Sequence, residues 1–175
     1  KNVIPKHLEP ITAKLERAGA LIEEFDDAVR VCRTGKIEPL NIKTMPHPGF
    51  PTDMQPLMGV LMTVARGTSI ITEAIWENRF RYADELLRMG ANIQVDGRVA
   101  VIEGVEELSA APVRASDLRA GAALVVAALA ANGTSEIEEI AHIERGYEDL
   151  VEKLKGLGAD IRRVSVPDQV LRQAL

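Results

Sequence analysis

One cysteine, Cys32, stands in 175 residues, so no intrachain disulfide framework can form and cysteine-rich zinc ligation has no support. With no signal peptide in view, a reducing cytoplasmic location is the expectation. A strong charge of one sign is missing too. The formal net charge is -5, and the basic residues are interleaved with acidic ones. No cationic stripe is available to neutralise a phosphate backbone, so nucleic acid is not an expected partner. The longest apolar stretch, "GAALVVAALAANG", falls short of a bilayer span and reads as a buried helix, and no membrane segment is expected. There is no glycine-rich dinucleotide fingerprint and no phosphate-loop motif. His7, His47 and His142 lack metal-ligand spacing, and Cys32 in the strand-like "VRVCRTG" reads as a packed, inert thiol. Neither cofactor nor metal is expected. An initiator methionine is absent as well, which is compatible with a piece of a longer protein. What is present, 46% apolar and 27% charged residues, fits a globular domain with one substantial core.

The chain repeats itself. "KLERAGALI", "ELLRMGANI" and "KLKGLGADI" each predict a helix end, a left-handed glycine cap at Gly19, Gly90 and Gly158, and then a strand start. A second element also recurs. "TDMQPLMGVLMTVARGTSIITEAI" is matched by "SDLRAGAALVVAALAANGTSEIEEI", each with an aspartate before an apolar helix, then Gly-Thr-Ser, then a strand. "NIQVDGRVAVIEG" reads as a hairpin around Asp-Gly, and "LIEEFDDAVRVCRTG" is similar. Strands alternating with helices give an α/β (α+β) class, and the hairpins make its sheets mixed. "MGVLMTVA" and "GAALVVAALAA" are apolar nearly all round and need cover on all sides, which predicts helices enclosed by a ring of sheets.

Asp53 and Asp117 fall at helix starts, where a carboxylate caps free amide groups. The arginines are less ordinary. Arg79 and Arg119 are predicted in the first turn of a helix and Arg145 just before one, where a cation opposes the macrodipole. Two readings stand: surface pairing with Glu77, Asp117 or Glu144, or an anion site at which guanidinium groups bind phosphate or carboxylate. In the second, the aspartates stay ionised among cations, as a general base requires. Trp76, beside "ENR", either stacks on a substrate ring or covers a core edge.

Five segments carry a family resemblance: "IKTMPHPGFPTDMQP", "GTSIITEAIWENRF", "DELLRMGANI", "APVRASDLRAGAALVVAALAANGTS" and "HIERGYEDLVEKLKGLGADI". Through them the chain resembles the UDP-N-acetylglucosamine enolpyruvyl transferases (1-carboxyvinyltransferases) of the EPSP synthase superfamily. The resemblance implies an inside-out α/β barrel of repeated βαβαββ units, here a partial domain. It places residues 1–164 in the C-terminal enolpyruvyl transferase domain and leaves 165–175 as a tail. The implied reaction moves the enolpyruvyl group of phosphoenolpyruvate to the 3-hydroxyl of UDP-N-acetylglucosamine and releases phosphate, in peptidoglycan synthesis. By the same resemblance Asp53 takes the hydroxyl proton and Asp117 lies beside the reacting carbon. Ile75, with Trp76 next to it, matches a contact to the sugar nucleotide, while Arg79, Arg119 and Arg145 match residues that bind the phosphoenolpyruvate anion.

The family's mobile-loop cysteine or aspartate has no counterpart, nor does its N-terminal Lys-Asn pair. The chain alone is therefore expected not to turn over. Its missing partner is the N-terminal domain of the same enzyme, and an uncovered face makes self-association an expectation. Two alternatives stand beside this reading: a 3-phosphoshikimate 1-carboxyvinyltransferase-like enzyme, and a noncatalytic structural domain.

Overall fold

The computed structural model describes residues 1–165; the expected tail, apart from Ser165, lies outside the described residues. Helix α1 (Pro5–Arg17) opens with proline, whose missing amide costs nothing in a first turn, and ends at Ala18. Gly19 follows in the left-handed region at φ +95° and turns the chain into β1 (Ala20–Glu24), which forms an antiparallel hairpin with β2 (Val29–Arg33). Next come β3 (Asn41–Lys43), a 3-10 turn at Thr52–Met54, and α2 (Gln55–Thr63). β4 (Thr68–Thr72) then runs parallel to β3. α3 (Tyr82–Arg88) leads through Gly90 to the hairpin of β5 (Asn92–Asp96) and β6 (Val99–Glu103). The second unit repeats the pattern: β7 (Pro112–Arg114), α4 (Leu118–Ala130), and β8 (Glu136–Glu138) parallel to β7. Two short helices, α5 (Ala141–Glu144) and α6 (Leu150–Gly156), follow.

The internal repeat is legible down to single hydrogen bonds. Ser69 Oγ accepts from the amide of Leu40 at 3.1 Å, and Ser135 Oγ accepts from that of Ala111 at 3.3 Å. Each joins the Gly-Thr-Ser strand to the start of its parallel neighbour. Beyond the neighbour's end, Thr44 donates its amide to the Thr72 carbonyl and Ala115 donates to that of Glu138, both at 3.0 Å. The two units therefore share one backbone plan.

Both expected hairpins are present, and the sheet ordered β3-β4-β6-β5 is mixed, with one parallel and two antiparallel pairings. The enclosing ring is not continuous among the described residues: three separate sheets form, with no closed barrel. The third helix-glycine signal also gives a different outcome. Gly158 does adopt φ +96° after α6, but no strand follows it among the described residues. β1 and β5 are each held by the next antiparallel strand, and no such strand follows Gly158 among the described residues.

The two apolar helices form the centre. α2 and α4 pack on each other, with seven of the nine residues of α2 buried, and α2 also covers β6 while α3 rests on β5. Met58, Met62, Leu86 and Leu124 are among the fully enclosed side chains, each contributing about 1.5–3 kcal/mol. α4 is less completely covered, and Val126 and Leu129 remain exposed. No helix of the described residues is long and apolar enough to cross a membrane.

Candidate active site

Asp53 does not cap α2. The helix is preceded by the 3-10 turn, its N-cap position is Met54, and no side chain bonds to its first amides. The carboxylate is turned outward and is 52% exposed. Asp117 behaves as the capping rule expects: its Oδ1 accepts from the amides of Arg119 at 2.8 Å and Ala120 at 2.9 Å at the start of α4. Repeat-related aspartates thus do different work, because the 3-10 turn takes the N-cap position of α2 from Asp53 and gives it to Met54.

Two of the three arginines converge on Asp53. Arg79 Nη2 lies 3.1 Å from Oδ1, and Arg119 Nη2 lies 2.8 Å from Oδ2. Their side chains are 16% and 35% exposed. Surface pairing with the nearby acids is not what the chain adopts, since Glu77 pairs with Arg98 and Glu144 with Arg163, both at 3.1 Å. Arg119 also donates from Nη1 to the Tyr147 hydroxyl at 3.2 Å and lies 5.9 Å over its ring. The Tyr147 hydroxyl, and behind it the Asp53 carboxylate, push the Arg119 guanidinium further up, partly opposed by burial.

The helix-start placement holds for Arg119 alone, which is the second residue of α4. Arg79 precedes α3, whose first residue is Tyr82, and its loop rather than a helix aims it. Arg145 is the C-cap of α5, where a cation agrees with the dipole. It is exposed, its amide donates to the Ala141 carbonyl at 3.3 Å, and its side chain makes no hydrogen bond or ion pair among the described residues. Ile75 and Trp76 stand on the loop before Arg79, 36% and 59% exposed.

Three contributors to this region escaped the sequence reading. Glu73, 1% exposed, accepts hydrogen bonds from Thr44, Thr52 and the amides of Ile75 and Trp76. The signal was its parity, because Ser69 and Ile71 face inward on β4 and the next residue of that row is Glu73. Tyr147 had no periodic signal. Gln55 is fully buried at the start of α2, and among the described residues its two amide atoms, the Arg79 Nε and the Ser116 Oγ find no hydrogen-bond partner. Chemically, the site offers a solvent-reachable carboxylate as proton acceptor, with two guanidinium groups whose remaining N–H donors suit a small anion.

Residues 1–154 match the family model described as EPSP synthase (3-phosphoshikimate 1-carboxyvinyltransferase). The chain is 56% identical over 164 residues to UDP-N-acetylglucosamine 1-carboxyvinyltransferase 3 of Caldanaerobacter subterraneus subsp. tengcongensis, covering 94% of this chain and 39% of that protein. A UDP-N-acetylglucosamine 1-carboxyvinyltransferase of Desulfofundulus thermocisternus is 56% identical over 173 residues, covering 99% of this chain and 71% of the other. Among solved structures, the enolpyruvyl transferase NikO from Streptomyces tendae superposes with a TM-score of 0.84 at 37% identity, covering 91% of this chain and 37% of that one. The chain thus spans less than half the length of two of these three relatives. With the family model matched along most of its length and relatives this similar, the chain belongs to the EPSP synthase family, among its UDP-N-acetylglucosamine 1-carboxyvinyltransferases.

Proposed function

We propose that the complete protein transfers the enolpyruvyl group of phosphoenolpyruvate to the 3-hydroxyl of UDP-N-acetylglucosamine and releases phosphate. That is a cytoplasmic step of peptidoglycan synthesis, and through it of cell-wall growth and division. The observation that carries this reading is the Arg79–Asp53–Arg119 arrangement. Asp53 takes the proton from the sugar hydroxyl as that oxygen bonds to C2 of phosphoenolpyruvate, while C3 gains a proton from a general acid of the complete protein. Return of a proton from C3 to that acid and cleavage of the C2–O bond then complete the exchange, the phosphate leaving with the proton taken by Asp53. Arg79, Arg119 and Arg145 neutralise the anion so that it can approach the sugar. Asp117 lies beside the reacting carbon, and Ile75 and Trp76 meet the sugar nucleotide.

Residues 1–164 belong to the C-terminal domain, and the N-terminal domain supplies the rest of the site, so the 175-residue chain alone does not turn over. The exposed Val126 and Leu129 on α4 favour its self-association. The test is phosphate release by the full-length protein with phosphoenolpyruvate and UDP-N-acetylglucosamine. Turnover that shikimate 3-phosphate does not inhibit is expected. Turnover with shikimate 3-phosphate instead, or none with the UDP-sugar, would overturn the reading.

A further inference from the structure

Glu73 is a buried acid beside the site that the proposed chemistry does not use. Its Oε1 accepts from Thr44 Oγ1 at 2.7 Å, the Ile75 amide at 2.8 Å and the Trp76 amide at 3.1 Å; its Oε2 accepts from Thr52 Oγ1 at 3.0 Å. Three segments therefore meet on one carboxylate: the end of β3, the turn that carries Asp53, and the loop that carries Ile75 and Trp76. A buried carboxylate is tolerated only where donors saturate it, as these four do.

The second repeat unit shows what the fold does without this network. Ala115 stands where Thr44 stands, as their matching amide bonds to the parallel strand show. By the same alignment Ser116 stands in the place of Thr52 and Glu139 in that of Glu73. With no hydroxyl at position 115, Glu139 lies exposed, Ser116 Oγ is buried without a partner, and the chain passes through Ile140 into α5. The parallel strand pair and the apolar helix form all the same. The architecture does not need the carboxylate network. The unit that has it is the one bearing Asp53 and the exposed side chains of Ile75 and Trp76.

We infer that Glu73 is a positioning residue, which sets Thr52 and the adjacent Asp53 in register with the Ile75–Trp76 segment. One buried group then fixes both the proton acceptor and the platform for the sugar nucleotide. This rests on the enolpyruvyl-transfer reading. Glu73 touches no reacting atom; it acts through a hydroxyl and two amides whose displacement by about 1 Å is enough to cost catalysis up to a hundredfold.

The experiment is steady-state kinetics of the full-length protein in both substrates, with thermal melting as a control. Glu73→Ala is expected to raise the KM for UDP-N-acetylglucosamine by about 10-fold or more and to leave the KM for phosphoenolpyruvate within about 2-fold. Thr52→Val, which removes only the Oε2 bond, is expected to lower kcat by about 10-fold at nearly unchanged KM values, and Thr52→Ser to restore it. If Glu73→Ala does not fold, the Thr52 pair decides. A purely structural role would lower melting temperatures and leave both KM values and the kcat of Thr52→Val at wild type, and that result overturns the inference alone. An inactive wild-type protein takes down the functional reading, and this inference with it.

Discussion

Arg119 Nη2 lies 2.8 Å from Asp53 Oδ2, joining the first turn of α4 in the second repeat unit to the turn before α2 in the first. α2 and α4 pack on each other, and the pair ties the turn before one to the first turn of the other. A carboxylate from one unit and a guanidinium from the other thus share a site that neither unit makes alone.

Asp53→Asn separates chemistry from stability. Asp53 caps nothing, and a half-exposed ion pair contributes under about 1 kcal/mol, so the melting temperature of the full-length protein should barely move. Loss of the proposed proton acceptor should lower kcat by about 100-fold or more with KM values little changed. Phosphate release at saturating substrates measures it, and wild-type turnover would favour the noncatalytic alternative.

Arg119 should resist replacement even by lysine. Its guanidinium divides its donors, Nη1 to the Tyr147 hydroxyl and Nη2 to Asp53, and an ammonium cannot reproduce that fork. Arg119→Lys is expected to raise the KM for phosphoenolpyruvate by about 10-fold or more, and Arg119→Ala by more. Tyr147→Phe, which keeps the ring under the guanidinium and removes the hydroxyl, should cost about 2- to 5-fold. Titration of phosphoenolpyruvate at saturating sugar nucleotide orders the three.

Asp117 combines a structural and a proposed chemical role, and two substitutions divide them. Asparagine keeps an Oδ1 acceptor for the amides of Arg119 and Ala120, so Asp117→Asn should leave stability nearly unchanged; Asp117→Ala should lose about 1 kcal/mol. If the charge also acts beside the reacting carbon, both variants lose kcat, and the asparagine variant does so without a change in urea midpoint.

Local signals served well where one segment decides the outcome. The glycine stops at Gly19 and Gly90, both hairpins, the all-round apolar helices and the cap at Asp117 follow from spacing and residue type. The sequence was silent where distant segments decide. Asp53 looked like a cap because its neighbours resemble those of Asp117, and only the 3-10 turn ahead of Gln55 distinguishes them. Arg145 closes α5 instead of opening α6, because the helix that its sequence predicts starts only at Leu150. Glu73 joins residues up to 29 positions away, and periodicity along β4 could reveal its burial but not its donors.

The contact beneath the site offers a test of packing. A Cβ at Gly59 would lie 2.3 Å from the Tyr82 hydroxyl oxygen and 3.0 Å from Cζ, so α2 approaches the phenol only because position 59 has no side chain. Alanine in mid-helix is ordinarily favoured over glycine by roughly 0.5–1 kcal/mol, but overpacking costs about 1–3 kcal/mol, and the clash should win. Gly59→Ala is therefore destabilising, and adding Tyr82→Phe should recover about 1 kcal/mol by removing the nearest atom. Burial drives the Tyr82 phenol far above its ordinary value, with the neighbouring Gln55 amide offsetting only part. A raised folded-state value means that the stabilising contribution is complete below the unfolded value near 10 and is lost as pH rises beyond it. Urea midpoints at about pH 8 and about pH 11 should therefore fall more steeply for wild type than for Tyr82→Phe, and equal slopes would show that the buried phenol is not what resists ionisation.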